Sequence, residues 1–230
     1  MIIINNDLSA LVKTFEAYPQ IYDLLEQIPF IQAQRMRHLG ARVELDIPIQ
    51  GNSIIDGGCA TGLTLKKIAE LNPKQIVGVD IAHKPLVAAK ERLKTFQTAE
   101  FYMCDVCYTP FPDESFNAYI SNNVVQFVTN PEKFFNEMTR VLKRGGTVSI
   151  AGPKPGFDNK KLVAAAEGSG IENQSLNHIL DYQAQVEKYS GNYYEQDQIT
   201  SLLRDKFGLR ILVSEPAYLG EQYFILAQKK

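Results

Sequence analysis

Ser53-Ile54-Ile55-Asp56-Gly57-Gly58-Cys59-Ala60-Thr61-Gly62-Leu63 is the stretch on which the fold turns. A β-branched run ends in an aspartate, small residues follow, and a helical pattern opens at Leu63. In a strand–turn–helix of this kind the small residues let a ligand approach the backbone. The start of the helix offers N–H groups that have no partner within it. Eighteen residues beyond Gly62, the run Val77-Gly78-Val79-Asp80 ends on a second carboxylate. An acid at that place can accept both hydroxyls of a ribose.

The same rhythm extends outward. Short apolar runs at 53–55, 75–79, 101–103, 118–120 and 147–151 read as strands. Amphipathic stretches at 63–71, 84–95 and 131–142 read as the helices between them, with Pro85 tolerated in a first turn. Strands that are continuously apolar rather than alternating belong to a parallel sheet covered on both faces. A helix over 196–207 and strands over 209–213 and 223–227 follow. The link 214–221 is too short for a crossover helix and suits an antiparallel hairpin. The expected fold is α/β: a doubly wound, mostly parallel seven-stranded sheet with an antiparallel last strand.

The flanks differ. Leu8, Leu11, Val12 and Phe15, then Ile21, Leu24, Leu25 and Ile28, recur at helical spacing and are broken by Pro19 and Pro29. Residues 153–196 are polar and rich in tyrosine. One domain over 1–230 is expected: a helical cap (1–50), a cofactor-binding core (51–152), a lid-like insertion (153–196), and a last helix with hairpin strands (197–230). The basic run Arg35-Met36-Arg37-His38 reads as a solvated helix face.

Net charge −2 argues against a nucleic-acid footprint, which needs clustered Lys and Arg. The apolar triplet Ile2–Ile4 is too short for a signal segment or a membrane span. A cytoplasmic location, with no membrane or nucleic-acid partner, is the expectation. Cys104 and Cys107 form a CxxC without a second ligand pair, so reduced thiols are expected and no metal site.

A pyrophosphate binder wants G-x-G-x-x-G, and Leu63 stands at the last glycine of Gly58-Cys59-Ala60-Thr61-Gly62-Leu63. Asp56 would also face a pyrophosphate unfavourably, whereas it suits an amino group. In these features the chain resembles the class I S-adenosylmethionine-dependent methyltransferases, nearest the ubiquinone/menaquinone-biosynthesis-like, small-molecule branch. Asp56 to Gly62 is similar to D-x-G-C-G-T-G, with Ala60 for a glycine and Gly57 for an apolar residue; alanine suits that place where φ is negative. Thr109 to Asn117 is similar to L-P-F-P-D-x-S-F-D, and Arg140 to Gly146 to R-V-L-K-P-G-G.

The resemblance implies S-adenosyl-L-methionine as cofactor, S-adenosyl-L-homocysteine as product and a small-molecule methyl acceptor. It places Asp56, Gly57, Gly58, Cys59, Ala60, Gly62, Asp80, Ile81, Asp105, Val106, Asn122, Asn123 and Phe127 at the cofactor. Tyr18, Tyr22, Gln126, His178 and Tyr182 are candidates for the acceptor pocket, with His178 the candidate base. Gln126-Phe127 replaces the His pair of many members, so a module that binds the cofactor without catalysis stays open. A nicotinamide oxidoreductase is disfavoured by Leu63.

Overall fold

The computed structural model describes residues 8–18, 20–157 and 159–230. Three helices come first: α1 (Leu8–Ala17), α2 (Ile21–Leu25) and α3 (Pro29–Glu44). The alternating core follows as β1 (Ser53–Gly57), α4 (Leu63–Ala69), β2 (Gln75–Asp80), α5 (His83–Arg92), β3 (Ala99–Met103), β4 (Phe116–Asn122), α6 (Pro131–Val141) and β5 (Leu142–Pro153). Then come α7 (Asn159–Gly168), α8 (Asn173–Glu187), α9 (Gln196–Ser201), β6 (Arg210–Ala217) and β7 (Gln222–Gln228).

The seven strands form one sheet in the order β3-β2-β1-β4-β5-β7-β6. β7 enters between β5 and β6 and runs antiparallel to both. Neighbouring residues of one strand serve opposite faces, as a pleat requires. Ile54, Ile76, Ala118 and Ile120 pack with Leu65 and Ile68 of α4 and with Leu86 of α5. Ile55, Val77, Val79 and Tyr119 pack instead with Phe134, Phe135 and Met138 of α6 and with Ile199 of α9. This is the doubly wound arrangement expected.

Two elements depart from expectation. β5 begins at Leu142 because that residue pairs with Phe116 before the chain bulges out at 143–146 and re-enters at Thr147 opposite Ala118. The helix expected to reach 207 stops being α-helical at Ser201 and continues as a wider π turn over Leu202–Lys206.

The basic run on α3 is not a solvated face. His38 and Arg42 are 0% and 1% exposed. The reason lies in β5, whose hydroxyl residues meet them: His38 Nδ1 is 2.9 Å from Ser149 Oγ, and Arg42 donates to both Thr147 and Ser149. Burial, reinforced by Arg42, lowers the His38 pKa to about 3, so its imidazole is neutral.

α1, α2, α7 and α8 form a roof with an apolar cluster of its own: Ile21 and Ile28 pack with Ala166, Leu176, Ile179, Tyr182 and Val186. Among the described residues no helix is long and apolar enough to cross a membrane.

Gly62 closes the glycine-rich turn against α5. Its φ is +75°, and a Cβ there would stand 3.0 Å from Ala89 Cβ and 2.9 Å from a Leu93 methyl. Gly62→Ala is therefore expected to cost about 2 kcal/mol through backbone strain and crowding. Chemical denaturation of the two proteins checks this.

Candidate functional site

The carboxyl ends of β1, β2 and β4 open on one cavity of about 250 Å³. The turn after β1 is fixed by backbone bonds: the N–H groups of Gly58 and Cys59 both donate to the Val79 carbonyl, at 2.8 and 2.9 Å. Asp80 then ties two turns together. Its Oδ2 accepts from Ala60 N at 2.8 Å and its Oδ1 from Ala82 N at 2.9 Å. Each carboxylate oxygen keeps a further lone pair, so capacity for two hydroxyls remains. Burial raises the Asp80 pKa, and the backbone donors offset only part of that rise.

Ala60 has φ +46°, not the negative value that would suit alanine without cost. A left-handed alanine costs about 1 kcal/mol, and the bond from its N–H to Asp80 offsets that cost. Gly58 has φ +84°, and a Cβ on it would collide with a Val124 methyl at 2.2 Å. The turn is a cradle that a larger residue would fill.

Asp56 is 3% exposed. Among the described residues no hydrogen-bond donor is paired with its carboxylate. Burial raises its pKa to about 7, with Arg35 lowering it and Asp80 raising it. An unpaired buried carboxylate in a cavity wall suits an ammonium group. The fit to an aminoacyl nucleoside is therefore good: Asp56 for the amino end, the Gly58–Ala60 cradle beneath it, Asp80 for a ribose. Asp105, half-buried in the same wall, accepts from Cys107 N at 2.8 Å and so also shapes its own turn.

The wall gathers Asp56, Gly58, Cys59, Ala60, Asp80, Ile81, Asp105, Val106, Asn122, Asn123 and Phe127 from the expected cofactor set. From the expected acceptor set it gathers Tyr22, Gln126 and Tyr182. Gly57 lies outside it, and its absent side chain makes room for the buried Tyr119 hydroxyl, 2.1 Å from where a Cβ would be. Gly62 packs on α5 instead. Tyr18 stands behind the wall, edge-on to Tyr182 at 6.0 Å. His178 is exposed on α8 and is not among the lining residues.

Other wall residues had no signal in the sequence. Gln34 of α3 bonds to Gln222 of β7 and reaches toward Asn122 at 3.4 Å. They form a buried amide floor between elements far apart in the chain. Arg35 enters from α3. Tyr22 and Tyr182 meet across the roof with hydroxyls 3.3 Å apart. Burial, with Tyr182 and Asp80 nearby, pushes the Tyr22 phenol well above its usual range.

Residues 55–150 match the family described as the methyltransferase domain. The chain is 28% identical to the malonyl-[acyl-carrier protein] O-methyltransferase of Marinomonas sp. (strain MWYL1), over 70% of this chain and 64% of that one. It is 28% identical to the demethylmenaquinone methyltransferase of Tropheryma whipplei (strain Twist), over 65% of this chain and 62% of that one. It thus spans less than two thirds of the length of either relative. The fold matches geranyl diphosphate C-methyltransferase from Streptomyces coelicolor A3(2), solved with S-adenosyl-L-homocysteine, with a TM-score of 0.61 at 14% identity over 85% of this chain and 80% of that one. Over residues 55–150 the chain is thus similar to the methyltransferase-domain family, and its fold is that of S-adenosylmethionine-dependent methyltransferases.

The Asp56 carboxyl supplies a pH test. Below about pH 4 it is protonated both folded and unfolded. As pH rises toward 7 only the unfolded chain ionises freely, so the empty protein loses stability over that window and the penalty is constant above it. A ligand ammonium favours the ionised form. Affinity for S-adenosylhomocysteine should therefore be about tenfold weaker at pH 6 than at pH 8. Asp56→Asn should flatten that profile. Calorimetric titration at the two pH values measures both.

Proposed function

We propose that this chain transfers the methyl group of S-adenosylmethionine to a small-molecule acceptor. The observation that carries the reading is the unpaired Asp56 beside the Asp80-braced cradle, opening on a cavity roofed by separate helices. S-adenosylmethionine, when bound, supplies the electrophilic methyl. Asp56 and Asp80 would hold its amino end and its ribose, and Val106 and Asp105 would flank its base. The roof would exclude water and hold the acceptor in line, which is where a methyltransferase gains most of its rate.

The acceptor side is framed by Phe15, Tyr22, Leu25 and Ile31 from the cap and by Tyr182 and Val186 from the insertion, over the amide floor of Gln34, Asn122 and Gln222. A concave, partly roofed cavity of this size suits a small acceptor. No histidine stands among the described wall residues. The reading therefore assigns catalysis to positioning and not to His178. It treats the cap, core, insertion and hairpin as one working domain. It places the reaction in a reducing cytoplasm, in keeping with free Cys59, Cys104 and Cys107.

A screen of small acceptors with methyl-labelled cofactor tests the activity, and tight cofactor binding with no transfer to any acceptor would favour the non-catalytic module. Within that test Asp80→Asn keeps an oxygen for one of the two backbone bonds, loses the other, and removes the charged ribose acceptor. It should lower affinity for S-adenosylhomocysteine about a hundredfold, with the fold retained. Unchanged binding would remove Asp80 from the site.

The roof generates a second expectation. Elements that must admit an acceptor and release a product are drawn from the less stable part of a structure. Amide hydrogens of α1, α2 and α8 should exchange fast in the empty protein and slow when S-adenosylhomocysteine is bound, while β1 and β2 stay protected throughout. Hydrogen exchange read by mass spectrometry decides it, and uniform protection of the roof in the empty protein would contradict it.

A further inference from the structure

Three glutamines that line the cavity are more than nine-tenths buried: Gln34, Gln126 and Gln222 are 6%, 6% and 4% exposed. They come from α3, from the turn after β4 and from the start of β7. Their hydrogen bonds are incomplete in a definite pattern. Gln34 Nε2 donates to the side-chain carbonyl of Gln222 and reaches Asn122 Oδ1 at 3.4 Å. Among the described residues nothing bonds to the Gln34 side-chain carbonyl or to the Gln222 NH2 group. Gln126 Nε2 donates to the Asn123 backbone carbonyl at 3.0 Å, while Gln126 Oε1 is buried without a partner. The Gln126 backbone carbonyl accepts from Gly191 N at 2.9 Å, so the insertion holds this residue in place.

A buried amide with one end unpaired costs the protein a hydrogen bond that a ligand can restore. Here both kinds of group are unmet, a donor on Gln222 and an acceptor on Gln126, so a complementary head must both accept and donate. The sheet order separates this chemistry from the charged one. Asp56, Asp80 and Asp105 stand at the ends of β1, β2 and β3, whereas Asn122 and Gln222 belong to β4 and β7. Beside Gln222 the wall continues with its strand partner Pro153 and with Phe157 and Tyr218, whose rings lie 5.6 Å apart. None of the three glutamine side chains is bonded to a charged group. An ion brought against neutral amides and rings gives up its hydration without gaining a counter-ion.

We propose that the β4–β7 end of the cavity selects an uncharged methyl acceptor with a carboxamide-like head. Gln222 donates to its carbonyl oxygen and Gln126 accepts from its N–H, with Gln34 as the positioning residue that orients the Gln222 amide. The inference rests on the reading of this cavity as a methyl-transfer site, and it deepens that reading by naming the class of acceptor.

Four probes of similar size separate the possibilities: benzamide, benzoate, benzylamine and ethylbenzene. Each is titrated by ligand-observed NMR into the native protein saturated with S-adenosylhomocysteine. Benzamide should bind about tenfold tighter than any of the other three, the size of two modest neutral hydrogen bonds. Gln222→Glu keeps the oxygen that accepts from Gln34 and turns the free donor into an anionic acceptor. It should bring benzamide down to the level of ethylbenzene and make benzylamine the tightest of the four. Gln126→Met, close in volume, should weaken benzamide about fivefold and leave ethylbenzene within about twofold. Gln34→Leu should weaken benzamide about threefold, again without moving ethylbenzene.

Equal binding of the four probes by the native protein, or a preference for an ion, would overturn the proposal without any variant. So would a native protein that takes up S-adenosylhomocysteine and none of the four. A preference for benzamide that survives Gln222→Glu or Gln126→Met would also overturn it, because the amides would then not be reading the head. Should a variant fail to fold, the native series still decides. Failure of the native protein to bind S-adenosylhomocysteine would instead sink the cofactor reading, and this inference with it.

Discussion

The Asp80 carboxylate holds two turns at once, and the site depends on that double bond. One oxygen takes the N–H of Ala60 from the turn after β1, the other the N–H of Ala82 ahead of α5. Those turns belong to neighbouring parallel strands and would otherwise be independent loops. With the carboxylate between them, the cradle at Gly58 and the start of α5 move as one body. The left-handed conformation of Ala60 is tolerable for the same reason, because its N–H is captured at short range. The residue proposed as a ribose acceptor is thus also the brace of its turn, and the two roles would use different lone pairs of the same oxygens.

What surrounds this brace explains how a cavity lined with charge coexists with a stable sheet. Asp56 and Arg35 are desolvated without full pairing, and each raises the free energy of the empty protein. The sheet offsets this with two separate apolar faces, one packed by α4 and α5 and the other by α6 and α9. The roof has a smaller cluster of its own in Ile21, Ile28, Ile179 and Tyr182. Strain and unpaired charge sit where these three clusters meet. This is the usual location of a binding site, since any partner that satisfies those groups also ties the clusters together.

The core of the fold was legible because its punctuation is local. Asp56 and Asp80 end continuous β-branched runs, Gly58 and Gly62 mark a turn, and the short link before Tyr223 forces a hairpin; each is a statement about a few neighbouring residues. Most residues expected at the cofactor line one cavity for a related reason, since strand ends in such a sheet converge on one side. The rest was set by contacts between distant segments. His38 and Arg42 looked like part of a charged surface because burial there depends on Ser149 and Thr147, more than a hundred residues away. The Gln34–Gln222 bond spans an even longer separation. His178 attracted notice as a titratable side chain in a tyrosine-rich stretch, but it is exposed on α8 while Tyr182, one turn on, is buried; positions four apart share a flank of the helix, so spacing alone could not separate them.

Arg35 shows why such residues escape a reading by pattern. Within Arg35-Met36-Arg37-His38 the four side chains have four environments: Arg35 faces the cavity, Met36 is exposed, Arg37 bridges Glu44 and Glu215, and His38 is sealed against β5. Successive helical positions turn by about 100°, so consecutive residues cannot share a face, and a run of like charge carries no information about which of them points inward. What selects Arg35 is the position of Glu26 on one side and Asp56 on the other, residues contributed by the roof and by the sheet. A charge that belongs to neither the core nor the surface, held between those two layers, is selected only once both are in place, so no local pattern announces it.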